Sequence, residues 1–220
     1  MPAILFGSIS TLADTSEIQR DAFNQAFAEH GLDWTWDQQE YAGLLGSNGG
    51  RDRVAAYAQD RGEDVDADAV HATKSRIYQE TLRSTEISPR EGVVDTIRSA
   101  KSDGLKLGLV TTTSADNLAA LSDALQGQVD FADFDVVVDQ SKVSARKPDA
   151  EAYTYALDQL GEQADQAVAI EDNQGGVESA RAAGVQVVAF PNGNTAGHDF
   201  GDTARVQALE LTDLRGAAKI

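Results

Sequence analysis

The sequence predicts an α/β protein: a parallel sheet flanked by helices, with a helical segment inserted after the first strand. Three observations carry this. An apolar run, Ala3-Ile4-Leu5-Phe6, opens straight into the Gly/Ser/Thr loop Gly7–Thr11, the way open sheets present loops at the carboxyl ends of their strands. Residues 15–89 carry apolar positions at helical spacing and no strand alternation. From residue 90 onward, short apolar runs alternate with amphipathic stretches, the grammar of strand–helix units in a parallel sheet.

In order along the chain, Thr15–His30 places Ile18, Ala22, Phe23, Ala26 and Phe27 on one helical face, with Thr15 or Ser16 able to cap its start and Gly31 closing it. The stretch Leu32–Tyr41 holds both tryptophans but is too short to assign alone. Gly46–Gly50 reads as a turn, Arg51–Arg61 as a helix, and Asp66–Leu82 as another with Val70, Ile77, Tyr78 and Leu82 on one side. Beyond Pro89, Val93–Ser102 is amphipathic and Leu105–Val110 is a strand bounded by three threonines. A helix over Asn117–Leu125, a strand over Phe134–Val138 and a helix over Glu151–Leu160 follow. A strand over Ala167–Ile170 ends at Glu171-Asp172, a helix covers Gly175–Ala183, and a last strand covers Val185–Phe190. The expected organisation is a core of residues 1–14 and 90–220 interrupted by a helical cap of residues 15–89.

Composition narrows the partners. The chain has 220 residues, 41% hydrophobic and 25% charged, with 36 acidic against 18 basic side chains and a net charge of −18. A field of that sign repels nucleic acid and anionic membrane, so neither is an expected partner. No apolar run reaches the roughly 20 residues of a bilayer span, and the start lacks a signal-peptide pattern. Zero cysteines exclude disulfides and thiol chemistry, and the cytoplasm is the default compartment. A monomer with an acidic, solvated surface is expected.

Four strand ends are candidates for chemistry. The first is the loop from Phe6 to Thr15. The second is Thr111, whose hydroxyl, with the amides of Thr112 and Thr113, could hold a phosphate. The third is Lys147 in Arg146-Lys147-Pro148, before the helix carrying Tyr153. The fourth is the acid pair Glu171-Asp172 ahead of Gly175-Gly176. Each alone is as readily a cap or a solvated charge; their order is what gives them weight. The histidines His30, His71 and His198 show no metal spacing and read as structural or solvated.

In that order the four resemble the haloacid-dehalogenase-like (HAD) hydrolases, whose first loop reads F-D-x-D-G-T-L-x-D-T. Phe6, Thr11, Leu12, Asp14 and Thr15 match in register, while Gly7 stands at the nucleophile's position and Ile9 at that of the acid/base Asp. Thr111, Lys147 and Glu171/Asp172 match the second, third and fourth motifs. The resemblance runs over the whole chain and implies a Rossmannoid parallel sheet with an inserted α-helical cap. Within the family the chain looks like the CbbY-type sugar-phosphate phosphatases, through Gly31-Leu32-Asp33-Trp34-x-Trp36-Asp37, Gly49-Gly50-Arg51-Asp52-Arg53, His71-x-x-Lys74 and Thr111–Ser114. It departs from them at Arg51, where Lys is commoner, and at Gln19, where His is.

What the resemblance implies is an Asp nucleophile forming an aspartyl-phosphate, a second Asp moving the proton, Mg²⁺ neutralising phosphate charge, and Thr111 and Lys147 steadying the phosphoryl oxygens. Gly7 cannot attack and Ile9 cannot move a proton. Ser8 and Ser10 share the loop without an evident base, and Asp14 is placed to cap the next helix. A weakened Mg²⁺ site at Asp172 and Glu171 is implied, with Arg51 gripping a second phosphate and Glu17, Thr112 and Thr113 contacting a phosphosugar. Arg53, Lys74 and Arg90 complete the polar set near the cap. The expectation is a phosphosugar-binding or regulatory pseudoenzyme, hydrolase by lineage; the alternative is an active Mg²⁺-dependent phosphatase with a displaced nucleophile.

Overall fold

The computed structural model describes residues 2–7, 9–46 and 49–218. Ser8, and two residues of the expected turn at 46–50, lie outside them. The elements run β1 (Ala3–Phe6), α1 (Ile9–Leu12), α2 (Ser16–Glu29), α3 (Gln38–Leu44), α4 (Gly50–Arg61), α5 (Ala67–Ser84), α6 (Val93–Ser102), β2 (Lys106–Val110), α7 (Ala115–Ala124), β3 (Val136–Val138), α8 (Glu151–Leu160), β4 (Ala167–Glu171), α9 (Gln174–Ala182), β5 (Gln186–Ala189) and α10 (Leu211–Ala218). The five strands form one sheet in the order β3-β2-β1-β4-β5, parallel throughout.

Strand alternation sorts the core into two layers. Ile4, Phe6, Leu109, Val168 and Ile170 face one side, continuous with the interior of the inserted helices. Ala3, Leu5, Val110, Ala167 and Ala169 face the other, against Tyr153 and Ala156 of α8 and Val177 and Ala180 of α9. Gly92, at φ 81°, begins α6 with its α-carbon so close to the Leu209 carbonyl that any side chain would overlap it. That contact seats the segment leading into α10, an element the sequence reading did not assign.

The inserted helices pack chiefly through α2 on α5 and α4 on α5. The two tryptophans, in a stretch the sequence left unassigned, are the centre of this bundle. The Trp36 ring centre lies 4.6 Å from that of Phe27, edge to face, and 5.0 Å from that of Phe23, and Trp34 meets Phe27 and Tyr57. Asp37 caps the short α3 by accepting the Glu40 amide. The start of α2 differs from expectation. Thr15 makes no capping bond; its hydroxyl instead accepts from Tyr78. Asp14 accepts both the amide and the hydroxyl hydrogen of Ser16, at 3.0 and 2.6 Å.

Candidate functional site

The sheet order sets β1 between β2 and β4, so three of the expected strand ends meet at one edge. The Gly7 amide donates to the Ile170 carbonyl and the Thr111 amide to that of Val138, extending the ladder past the strands. Lys147 arrives from the loop before α8 and is buried. Its ammonium donates to the carbonyls of Gly7 (2.5 Å) and Val110 (2.7 Å) and to Glu171 Oε1 (2.5 Å). The Tyr153 hydroxyl donates to the same carboxylate oxygen at 2.7 Å.

This is not the arrangement expected of a metal-facing Glu171. Its side chain is fully buried behind the cleft wall, wedged between two glycines. A Cβ on residue 7 would overlap the Glu171 carboxyl group and lie 2.5 Å from Tyr153 Oη, and one on Gly176 would overlap the same carboxylate. Burial raises the Glu171 carboxyl above its ordinary range, with Lys147 pulling the other way, and lifts the Tyr153 phenol well above its own. Glu171 Oε2 has no hydrogen-bond partner among the described residues.

Asp172, the next residue, faces the opposite way and lines the cleft. Its Oδ1 accepts from Asn173 Nδ2 at 2.9 Å and its Oδ2 from Asn192 Nδ2 at 2.7 Å. Both amides are fixed in that sense. Asn173 Oδ1 accepts the Gly176 amide, and Asn192 Oδ1 accepts those of Asn194 and Thr195. A Mg²⁺ site of the family's kind needs carboxylate oxygens free to face the ion. Here Gly7 and Ile9 bring none, the Ile9 carbonyl accepts the Ala13 amide, Glu171 is turned inward, and both Asp172 oxygens already hold amide hydrogens. No group of three His, Asp or Glu side chains able to hold a metal occurs among the described residues. Among the described residues the donor set offers the ion one cleft-facing carboxylate of the four expected positions, that of Asp172.

The Thr111 hydroxyl accepts the Thr113 amide at 3.2 Å, so that amide is engaged within its own loop. Thr113 Oγ1 in turn accepts from Asn117, whose Oδ1 accepts from Gln79 of α5, tying this strand end to the inserted helices. Thr112 lines the cleft without such ties among the bonds seen.

The cleft between the strand ends and α2, α4 and α5 encloses about 620 Å³. Arg53, Lys74, Arg76, Arg146 and Lys147 line it, against the carboxylates of Asp116 and Asp172. Arg51, expected to grip a phosphate, lies outside it, paired with Asp52 and Asp68 at the surface. Arg53, two residues on, is buried in the cleft wall beside Phe23 and Tyr41, and its Nε donates to the Leu44 carbonyl. Glu17 also lies off the cleft, where it accepts from Arg20 and Asn194; the Arg20 bond holds its carboxyl below the ordinary range. Arg90 bonds the carbonyls of Ser10, Phe190 and Pro191, tying α1 and the segment after β5 to the stretch before α6.

His71, read from sequence as structural or solvated, lines the cleft; burial brings its imidazole down to about 4, so it is neutral at neutral pH. Sequence reasoning also missed Asn192. It follows β5, a fifth strand end, and position alone was the available signal.

A parallel sheet with a helical insertion after β1, a buried lysine at the first strand end and an acid pair at the fourth define an α/β fold with an inserted helical segment beside its strand ends. Residues 6–190 match the family model described as haloacid dehalogenase-like hydrolase, and the chain belongs to that family. It is 36% identical over 203 residues to protein CbbY of Rhodobacter capsulatus, covering 91% of this chain and 89% of that protein. The structure is similar to that of a CbbY point mutant from Rhodobacter sphaeroides in complex with xylulose-1,5-bisphosphate, with a TM-score of 0.87, 34% identity and coverage of 94% and 95% of the two chains. It is likewise similar to CbbY from Rhodobacter sphaeroides in complex with phosphate, with a TM-score of 0.85, 35% identity and 93% coverage of each. The chain is a CbbY-like member of the family.

Proposed function

We propose that the cleft binds a phosphorylated sugar and that the protein has no substantial phosphatase turnover, acting as a binding or regulatory member of a hydrolase family. The observation that supports this is the packing at residue 7: the Glu171 carboxylate fills the space a side chain there would need and takes the Lys147 ammonium as its partner. A nucleophile must bring a lone pair to phosphorus. Gly7 and Ile9 bring none, and Glu171 sits behind the wall. Losing the nucleophile of a coupled set costs on the order of 10⁶ in turnover. Binding survives that loss, because Arg53, Lys74 and Arg146 line a cleft in a chain of net charge −18. The phosphosugar and phosphate held by the Rhodobacter sphaeroides CbbY structures support the same ligand class. In this reading the protein works as a cytoplasmic monomer and Mg²⁺ is not needed for binding.

The test pairs two measurements on the wild-type chain across sugar mono- and bisphosphates: phosphate release with Mg²⁺, and calorimetric binding. Binding without release is expected. Robust Mg²⁺-dependent release overturns the reading. That outcome would favour the hydrolytic alternative, which rests on Thr111, Lys147 and Asp172 standing at their strand ends and on Ser10 lining the cleft.

A further inference from the structure

Lys74 is a buried amine in the cleft wall with no carboxylate partner among the described residues. It is 4% exposed. Its Nζ lies 4.9 Å from the ring centres of both Phe23 and Tyr78 and donates to Gln19 Oε1 at 3.2 Å. Among the described residues it makes no ion pair, although the protein holds 36 acidic side chains. Lys101, Lys106 and Lys147, by contrast, are paired with Asp133, Glu162 and Glu171. An ammonium so placed is desolvated by aromatic faces and repelled by a neighbouring cation, the two devices that turn a lysine into an amine nucleophile. Burial first, and Arg53 second, bring Lys74 down to about 7, so a large share of it is free amine at neutral pH.

We propose that Lys74 is a carbonyl nucleophile, and that the cleft captures a phosphorylated open-chain ketose or aldose as an imine on this residue. The proposal rests on the reading of the cleft as a phosphosugar site. The amine lone pair adds to the carbonyl carbon, forming a C–N bond. One nitrogen proton passes to the former carbonyl oxygen, giving a carbinolamine. That hydroxyl then leaves as water with the second nitrogen proton, and a C=N bond remains. No oxidant or reductant enters. His71 is one turn earlier on α5 and also lines the cleft; its neutral imidazole is the group at hand to carry the proton between nitrogen and oxygen. Arg53 and Arg146 supply charge for the phosphate, and Arg146 makes no ion pair among the described residues.

A pentulose esterified at C5 cannot close a furanose ring, so it keeps a free ketone. Ribulose 5-phosphate is therefore the probe, and ribitol 5-phosphate, the same skeleton without the ketone, is its control. Wild-type protein is incubated with the probe and cyanoborohydride, then digested and mapped by mass spectrometry. The expected result is one reduced adduct on the peptide carrying Lys74, suppressed about tenfold by excess ribitol 5-phosphate and absent in Lys74→Met and Lys74→Arg. The competition arm needs no variant to fold. Calorimetric binding of ribitol 5-phosphate with no trapped adduct overturns the imine while leaving the phosphosugar reading intact. Adducts spread evenly over Lys142, Lys101 and Lys74 also overturn it. If neither compound binds, the phosphosugar reading and the imine fail together.

Discussion

The carboxylate of Glu171 stands in the space that any side chain on residue 7 would need. Residue 7 follows β1 and Glu171 ends the neighbouring β4, and the missing Cβ of one is the room for the other. Lys147 and Tyr153 both bond the same Glu171 oxygen, Oε1, and so anchor the intruding group. Glycine here is a packing requirement.

The first prediction follows from that shared space. Gly7→Ala destabilises the fold by about 1–3 kcal/mol, as overpacking does in a well-filled core. In a Glu171→Ala background the same change costs at least about 1 kcal/mol less. Urea denaturation of the four proteins of the cycle measures the coupling, and additive effects would show that the two positions do not compete.

Removing only one partner of the buried pair is costly. Glu171→Ala leaves the Lys147 ammonium, itself 6% exposed, without its counter-ion. A loss of about 3–5 kcal/mol is expected, and Glu171→Gln loses less because it still offers Tyr153 and Lys147 an acceptor. Equal losses for the two variants would contradict this.

The two arginines of the α4 start separate cleanly. Arg53→Met is expected to weaken phosphosugar binding about tenfold, the order of one charge-assisted bond. Arg51→Ala is expected to leave it within about twofold, since that side chain is held at the surface by Asp52 and Asp68. Calorimetry on both variants decides, and a larger effect at Arg51 would move the anion site out of the cleft.

Lys74 gives a pH dependence of definite sign. Its amine falls from an ordinary 10.5 to about 7 in the fold. Between those values the unfolded chain holds a proton that the folded chain has released. This group's contribution to stability therefore rises with pH across the window and is least favourable below it. His71, already neutral above about 4, does not titrate there. Lys74→Met should be more stable than wild type by about 1–3 kcal/mol near pH 6, with the gain shrinking toward about pH 10. Thermal unfolding across that range checks it; a difference independent of pH would place the proton on Lys74 throughout.

The fold was legible because its strands are short, apolar and bounded by Gly, Thr or acid residues, and its helices carry clear faces. Side-chain direction at the site was harder. Glu171 and Asp172 were read together as one acid pair, yet neighbours at a strand end point to opposite sides. Only Asp172 reaches the cleft. Arg51 and Arg53 differ by about 200° around a helix, so which one turns inward depends on where the helix begins. The structure starts it at Gly50, one residue before the expected Arg51. The amides that hold Asp172 come from positions 173 and 192, and no local pattern announces the second.

Lys147 touches chain positions 140, 37 and 24 residues away, at Gly7, Val110 and Glu171. Those partners come together only when β1, β2 and β4 are already in register, and loops that long close late. An ammonium cannot be drawn out of water before its acceptors are assembled, so this knot is tied near the end of folding. Substitutions at Lys147 should then hasten unfolding and leave the refolding rate nearly unchanged. The lysine that the family resemblance implies would steady a phosphate would serve in this chain as a kinetic latch on the finished sheet.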